Sequence, residues 1–132
     1  MIRGIRGAIT VENDIEPEIS EASLILFQTM MEKNQLSPPQ VVTLFITATP
    51  DIHSAFPARA IREQEPFQRL PILCSQEMEV NSALPRCIRM LALVEVEEGK
   101  TKIEPVYLRQ ARSLRKDLVE DNYEKSDCNP DY

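Results

Sequence analysis

A single arginine interrupts the longest apolar segment of the second half of the chain. Between Cys87 and Val96 apolar residues occupy both alternating sets of positions, which is typical of a strand buried on both faces, and Arg89 breaks one set. A guanidinium in such surroundings is costly unless an anion or several acceptors meet it. We therefore expect a negative group beside Arg89. Glu77 and Glu79, shortly upstream, are the candidates within the chain, and an anionic ligand is the candidate outside it.

Other reaction types lack their characteristic motifs. The three glycines, at positions 4, 7 and 99, cannot form a P-loop or a Gly-rich dinucleotide loop, and the chain has no Gly-x-Ser-x-Gly elbow. Three cysteines without a Cys-x-x-Cys pair and one histidine, His53, do not give a zinc site of the usual spacing. We assign His53 no chemistry. Arginines, Glu77, the Cys74 thiol and Tyr107 remain, a set suited to holding an anion without attacking it.

The charge of the chain is uneven. Its formal net charge is −6, and residues 116–132, with six acidic residues against two lysines, contribute −4 of it. The nearly balanced remainder gives no indication of nucleic-acid binding. Ten of the fifteen basic residues are arginine, the side chain suited to bidentate capture of carboxylates.

The cysteines and the apolar segments predict where the protein resides. An odd, widely spaced set of cysteines suits a reducing compartment, and no apolar run is long enough for a signal peptide or a membrane span. We expect a soluble, cytoplasmic protein of one domain, with residues 119–132 as an acidic, mobile tail.

The alternation of apolar residues predicts the elements that position these groups. A first strand covers residues 1–10, an amphipathic helix runs from a cap at Asn13 or Asp14 to about Asn34, and a central strand covers 41–48. A loop and a short helix over 58–65 follow. Strand candidates lie at 69–73 and 87–96, and residues 103–114 fit either a helix or a strand.

The stretch between Cys74 and Glu77 requires a separate prediction. In an extended chain these two side chains, three residues apart, point to opposite sides, so both can reach one ligand only if the chain bends between them. We predict such a bend. From the residues alone, two interpretations of Arg89, Glu77 and Arg6 stay open: an internal ion-pair network that stabilises the fold, or a site for an anion.

Five ordered motifs resemble those of the monofunctional chorismate mutases of the trimeric α/β (AroH) type, over roughly residues 1–118. They are Arg-Gly-Ile-Arg-Gly-Ala at 3–8, Ala-Thr-Pro-Asp-Ile-His-Ser-Ala-Phe-Pro-Ala-Arg-Ala-Ile-Arg at 48–62, Cys-Ser-Gln-Glu-Met at 74–78, Cys-Ile-Arg at 87–89 and Val-Tyr-Leu-Arg at 106–109.

The resemblance implies an α/β fold with α+β character: a single domain with a mixed β-sheet of about five strands covered by helices. It further implies a homotrimer with a barrel-like core, active sites between neighbouring subunits, and a largely extended 103–114 segment. The implied activity is the rearrangement of chorismate to prephenate in the biosynthesis of phenylalanine and tyrosine, without metal or cofactor.

The resemblance also implies roles for individual residues. Arg89 lies beside the ether oxygen of the substrate, Arg6 and Tyr107 hold a carboxylate, and Glu77 and Cys74 hydrogen-bond the ring hydroxyl. An apolar wall selects the reactive conformer and consists of Phe56, Ala58, Ile72, Leu73 and Leu114. Arg59 and Arg62 lie at the mouth, from the adjacent subunit, and Arg115 closes over it with the tail.

Two other functions fit a carboxylate-binding protein of this kind. A trimeric deaminase of enamines and imines grips a carboxylate with an interfacial arginine but lacks the Cys-Ser-Gln-Glu and Ala-Thr-Pro-Asp sequences present here. A regulatory module that binds an aromatic amino acid is the other. The chain differs from the mutase family at Gln110, Arg112 and Lys116, where apolar or small residues or proline are common.

Overall fold

A mixed five-stranded sheet forms the centre of the protein, which the computed structural model describes over residues 1–115. β4 runs antiparallel to both of its neighbours, β1 and β2, whereas the two edge strands pair in parallel, β5 with β1 and β3 with β2. The predicted single domain with a mixed sheet of about five strands is confirmed. In chain order the strands are β1 (Ile2–Thr10), β2 (Val41–Ala48), β3 (Ile72–Gln76), β4 (Cys87–Glu95) and β5 (Val106–Tyr107), and their spatial order is β3-β2-β4-β1-β5.

Two helices, α1 (Glu16–Lys33) and α2 (Ala58–Arg62), cover one face of the sheet. Leu26 and Met30 of α1 lie so close to β1 that a β-carbon at Gly7 would be 2.5 Å from the Met30 sulfur. A side chain at position 7 would therefore clash with the helix that packs on it. None of the helices within residues 1–115 is both long and apolar enough to cross a membrane.

The predicted N-cap of α1 is wrong. Ile15 occupies that position without a side-chain cap, and the Asp14 carboxylate instead accepts the backbone N–H groups of His53 and Ser54, both at 3.1 Å. These two N–H groups belong to the loop after β2, so a long-range contact replaces the predicted local cap of the helix.

Two predicted boundaries also differ from those observed. α2 ends at Arg62 instead of position 65, because Gln64 is extended, with a ψ of 128°, and Glu65–Phe67 forms a separate 3-10 helix. The strand predicted at 69–73 is β3 and lies three residues later. Pro71 cannot donate to the sheet, and its carbonyl accepts the N–H of Leu44 just before the ladder begins at Ile72.

The resemblance implied that the segment 103–114 is largely strand, and this prediction is wrong. Only the two residues of β5 pair with β1, and a 3-10 helix, Arg109–Ser113, follows. Arg109 has a φ of 56° and turns the chain out of the sheet. Residues 116–132, with the predicted mobile tail, lie outside the part that the structure describes.

The other face of the sheet is largely open. β4 is buried on the side of Ile88 and Met90, whereas Arg89 and Leu91 alternate with them on the exposed side. Leu91 and its cross-strand neighbour Phe45 are each 40% exposed. The predicted burial of β4 on both faces is therefore wrong for a single chain.

Candidate functional site

A cleft on the open face of the sheet contains two of the predicted cationic residues, Arg6 and Arg89; we call it the arginine cleft. Its volume is about 380 Å³. The register explains its composition, since Ala8 of β1 and Thr47 of β2 both lie opposite Arg89 of β4, and Ala8 also lies beside Tyr107 of β5. Four strands thus contribute to one surface, which is lined by Arg6, Gly7, Phe45, Thr47, Glu77, Arg89, Met90, Leu91 and Tyr107.

Arg89 meets a carboxylate in this cleft. Its Nη1 lies 3.6 Å from Oε1 of Glu77, and the same oxygen accepts a 2.6 Å hydrogen bond from Oγ1 of Thr47. Of the two acidic candidates upstream, Glu77 is the partner. The Arg89 side chain is nevertheless 48% exposed and that of Glu77 24%, so the guanidinium is open to a ligand.

The cleft has an excess of positive charge. Within residues 1–115 the Arg6 guanidinium forms no ion pair, so the cleft holds two arginines against the one carboxylate of Glu77. Tyr107 is buried at its edge, packed with Ala8. This arrangement favours the binding of an anion. It supports the interpretation as an anion site over an internal network in which every charge is paired.

A second cleft, the thiol cleft, lies on the other side of β3. It has a volume of about 480 Å³, and the loop over 52–57, Ala48, Cys74 and Arg59 line it. Cys74 pairs with Ile46 in the register and shares its face, toward the helices. Burial raises the pKa of the Cys74 thiol, although the N–H of Ala58 and the charge of Arg62 act in the opposite direction. The thiol is therefore protonated at neutral pH and can donate a hydrogen bond.

The predicted bend between Cys74 and Glu77 is wrong. β3 stays extended through Gln76, and the N–H of Glu77 bonds the carbonyl of Ala48 at 2.8 Å, which continues the pairing with β2. The two side chains point to opposite faces and enter different clefts. One chain cannot direct both at a single ligand.

The other predicted residues divide between the two clefts. Phe56 is 70% exposed beside the thiol cleft, and Ala58 is buried at the start of α2. Ile72 faces the core and Leu73 the open face, so within one chain the predicted apolar wall does not form. Leu114 packs beside Tyr107, near the arginine cleft.

The predicted mouth arginines lie on the side of the thiol cleft. Arg59 is paired by its own chain, with Glu63 at 3.4 Å and Glu16 at 3.9 Å. Arg62 is exposed on α2, close enough to Cys74 to affect its pKa. Arg115, at the end of the described chain, is half-buried.

Sequence reasoning missed five residues that line the arginine cleft: Gly7, Phe45, Thr47, Met90 and Leu91. Phe45 and Leu91 looked like ordinary core residues. Thr47 is a hydroxyl within an apolar strand, which is a weak indication, because only the pairing of β2 with β4 shows that it faces Arg89.

Comparisons with known proteins agree on one family. The family model "Chorismate mutase type I" matches residues 2–118. The protein named chorismate mutase AroH from Bacillus subtilis is 44% identical over 118 residues, 89% of this chain and 93% of its own length. Its namesake from Thermus thermophilus is 44% identical over 119 residues, 89% and 97% of the two chains. A solved structure of chorismate mutase from Clostridium thermocellum superposes with a TM-score of 0.80 at 33% identity, covering 84% of this chain and 98% of the other.

Proposed function

We propose how this chain, which belongs to the chorismate mutase type I family and is a chorismate mutase, converts chorismate to prephenate. In this concerted rearrangement an ether C–O bond breaks while a C–C bond forms within the same molecule. No atom is gained or lost, and no nucleophile is needed. The enzyme has to bind the dianionic substrate, select its compact conformer and stabilise the charge that develops on the ether oxygen.

Arg89 stabilises that charge. A guanidinium held by a strand and by Glu77 is already in place when the C–O bond breaks, so it stabilises the transition state more than the bound substrate. The observation that carries this role is the cationic excess of the arginine cleft. A rate enhancement of about a millionfold asks for only roughly 8 kcal/mol, within reach of such electrostatics and conformer selection.

Arg6 and Tyr107 hold a substrate carboxylate, and Glu77 accepts a hydrogen bond from the ring hydroxyl. Arg6 lacks an ion-pair partner among residues 1–115, and both side chains line the cleft that contains Arg89. Within residues 1–115 the contacts of Glu77 with Thr47 and Arg89 both use Oε1, so Oε2 can accept from the substrate. The Arg6 guanidinium and Oε2 of Glu77 are thus available to the substrate without loss of a contact to residues 1–115.

The complete site forms between two chains of a homotrimer. Cys74, Phe56, Ala58, Arg59 and Arg62 lie on the side of the thiol cleft and cannot reach the arginine cleft of their own chain, so a neighbouring chain supplies them. The exposed Phe45 and Leu91 support an assembly that buries the open sheet face in a barrel-like core. Across such an interface Cys74 of one chain joins Glu77 of the next at the ring hydroxyl.

The remaining assignments are part of the same proposal. Ile72, Leu73 and Leu114 complete the apolar wall, and Arg115 closes over the mouth. The catalytic domain comprises residues 1–118 and is followed by the acidic tail 119–132, a division that agrees with the extent of the family match. A cytoplasmic location is supported by the free thiols of Cys74 and Cys87.

The test is direct. Purified protein is mixed with chorismate, and the loss of diene absorbance is followed with and without a chelator. We expect turnover without added metal or cofactor, unchanged by the chelator. Failure of folded, trimeric protein to consume chorismate would refute the mechanism, and loss of turnover in chelator would show that a metal takes part.

A further inference from the structure

The structure assigns to Asp51 a role as a positioning residue for Arg89, an inference that rests on the function proposed above. Asp51 lies in the loop after β2 and is not among the residues that line the arginine cleft. Its carboxylate accepts the backbone N–H of Arg86 with both oxygens, Oδ2 at 2.9 Å and Oδ1 at 3.1 Å. Arg86 is the residue immediately before β4, the strand that bears Arg89.

Thr49 extends this contact to the next residue. Its hydroxyl donates to Oδ1 of Asp51 at 2.5 Å and accepts the N–H of Cys87 at 2.9 Å. The N–H of Thr49 in turn bonds the carbonyl of Cys87 at 3.0 Å. Arg86 and Cys87, three and two positions before Arg89, are thus both held by the short segment that contains Thr49 and Asp51.

The conformation of Arg86 explains why a carboxylate is needed there. Its φ is 47°, in the left-handed region that residues other than glycine seldom adopt. The two charge-assisted bonds from Asp51 stabilise this conformation, since an ionised acceptor binds an N–H more strongly than a neutral one. Val11 adds two further bonds, its carbonyl to Nε of Arg86 at 3.2 Å and its N–H to the Arg86 carbonyl at 3.0 Å.

The same segment also positions the partner of Arg89. Ala48 accepts the N–H of Glu77 at 2.8 Å, and Thr47 holds the Glu77 carboxylate. Residues 47–51 therefore hydrogen-bond both Glu77 and the start of the strand that bears Arg89. Asp51 is the charged group among them that fixes the Arg89 side.

A shift of Arg89 affects the chemical step more than substrate binding. Arg6 and Tyr107, which hold the carboxylate, lie on β1 and β5, and not on the strand whose start Asp51 holds. Loss of the Asp51 carboxylate therefore leaves ground-state binding largely intact and weakens the interaction made in the transition state. The effect appears in kcat and only slightly in KM.

The experiment measures kcat and KM of Asp51→Asn and Asp51→Ala with chorismate, alongside thermal unfolding and oligomeric state. We expect kcat to fall about tenfold in Asp51→Asn and further in Asp51→Ala, with KM changed less than about twofold. The matched control is Asp14→Asn, which removes a carboxylate from the backbone N–H groups of His53 and Ser54 in the same loop and leaves the contact with Arg86 intact. It should retain kcat within about twofold.

Glycine at position 86 provides a rescue that a merely destabilising change would not show. Glycine adopts a positive φ without help, so Arg86→Gly in the Asp51→Ala background should recover a large part of the lost kcat. Arg86→Gly alone is the reference for the loss of the Val11 contact. No rescue in a folded double variant, or a loss of kcat equal in Asp14→Asn, would overturn the role.

The outcomes also separate this inference from the proposed function. If wild-type protein turns over chorismate and Asp51→Asn has a wild-type kcat, the positioning role is wrong and the function stands. If wild-type protein does not turn over chorismate, the proposed function itself fails. Should Asp51→Ala not fold, the kcat of Asp51→Asn alone decides, because its side chain keeps one acceptor for Arg86.

Discussion

The arginine cleft and the thiol cleft differ in both charge and support. The first has two guanidinium groups against one carboxylate and lies on strands whose positions are set by backbone pairing. The second is lined mostly by the loop over 52–57, with Arg59 of α2 and the ends of β2 and β3, and the charge of Arg59 is already met by Glu16 and Glu63. In the proposed mechanism, the sheet therefore carries the groups that stabilise charge, and the loop carries groups that select the shape of the substrate.

Removal of Arg89 should have the largest effect. Arg89→Ala is expected to lower kcat at least about a thousandfold, because the preorganised cation at the ether oxygen is lost. Arg89→Lys should retain only a remnant, since an ammonium is a point charge and cannot reproduce the planar fork. Steady-state kinetics with chorismate measure both.

The matched control for Arg89 is Arg69→Ala. Arg69 is an exposed arginine ahead of β3 that lines neither cleft, and its variant should remain within about twofold of wild type. Near-normal turnover of either Arg89 variant would contradict the role given to the arginine cleft.

Mixing two inactive variants tests whether the two clefts of one site come from different chains. Arg89→Ala damages only the arginine cleft, and the double variant Arg59→Ala/Arg62→Ala damages only the thiol cleft. In trimers refolded from an equal mixture, about a quarter of the interfaces pair two intact clefts, so about a quarter of wild-type activity should return.

The controls for this mixture are each variant refolded alone, and light scattering confirms the trimer. If both clefts of a site belonged to one chain, the mixture would be as inactive as its components.

A smaller effect is expected at the thiol. Cys74→Ala removes one neutral hydrogen bond and should lower kcat/KM about three- to tenfold, whereas Cys74→Ser keeps a donor and should lose less. Because burial raises the pKa of this thiol above its ordinary value of 9.0, the wild-type rate should not report its deprotonation up to pH 9. A fall in turnover with a midpoint near pH 7 that disappears in Cys74→Ala would contradict this.

The smallest effect concerns Asp14, on the loop side of the thiol cleft. Burial by its neighbours raises the pKa of Asp14, but hydrogen bonds from His53 and Ser54 outweigh it and place the pKa below the ordinary 3.8. A lowered folded pKa stabilises the protein above pH 3.8, and this contribution is lost as the pH falls through the folded value.

Asp14→Asn should therefore unfold at a lower temperature than wild type above pH 3.8. The difference should shrink below pH 3.8, and thermal unfolding across this pH range measures it. A difference that grew toward low pH would have the wrong sign.

Local pattern predicted much of this protein, because the side-chain period of a strand is a property of the chain itself. The alternation in β4 put Arg89 on the face of Leu91 and opposite Ile88, and the structure keeps that division. The central strand over 41–48 and the first strand were likewise predicted within a residue, and the ordered motifs indicated the family.

Contacts between distant segments were decided only by the tertiary structure. The separation of Cys74 from Glu77, the exposure of Arg89 and the contact of Asp51 with Arg86 depend on strand order and register. These arise when the whole sheet packs on α1. Asp51 and Arg86, 35 positions apart, are joined by two hydrogen bonds, and no local period encodes that distance.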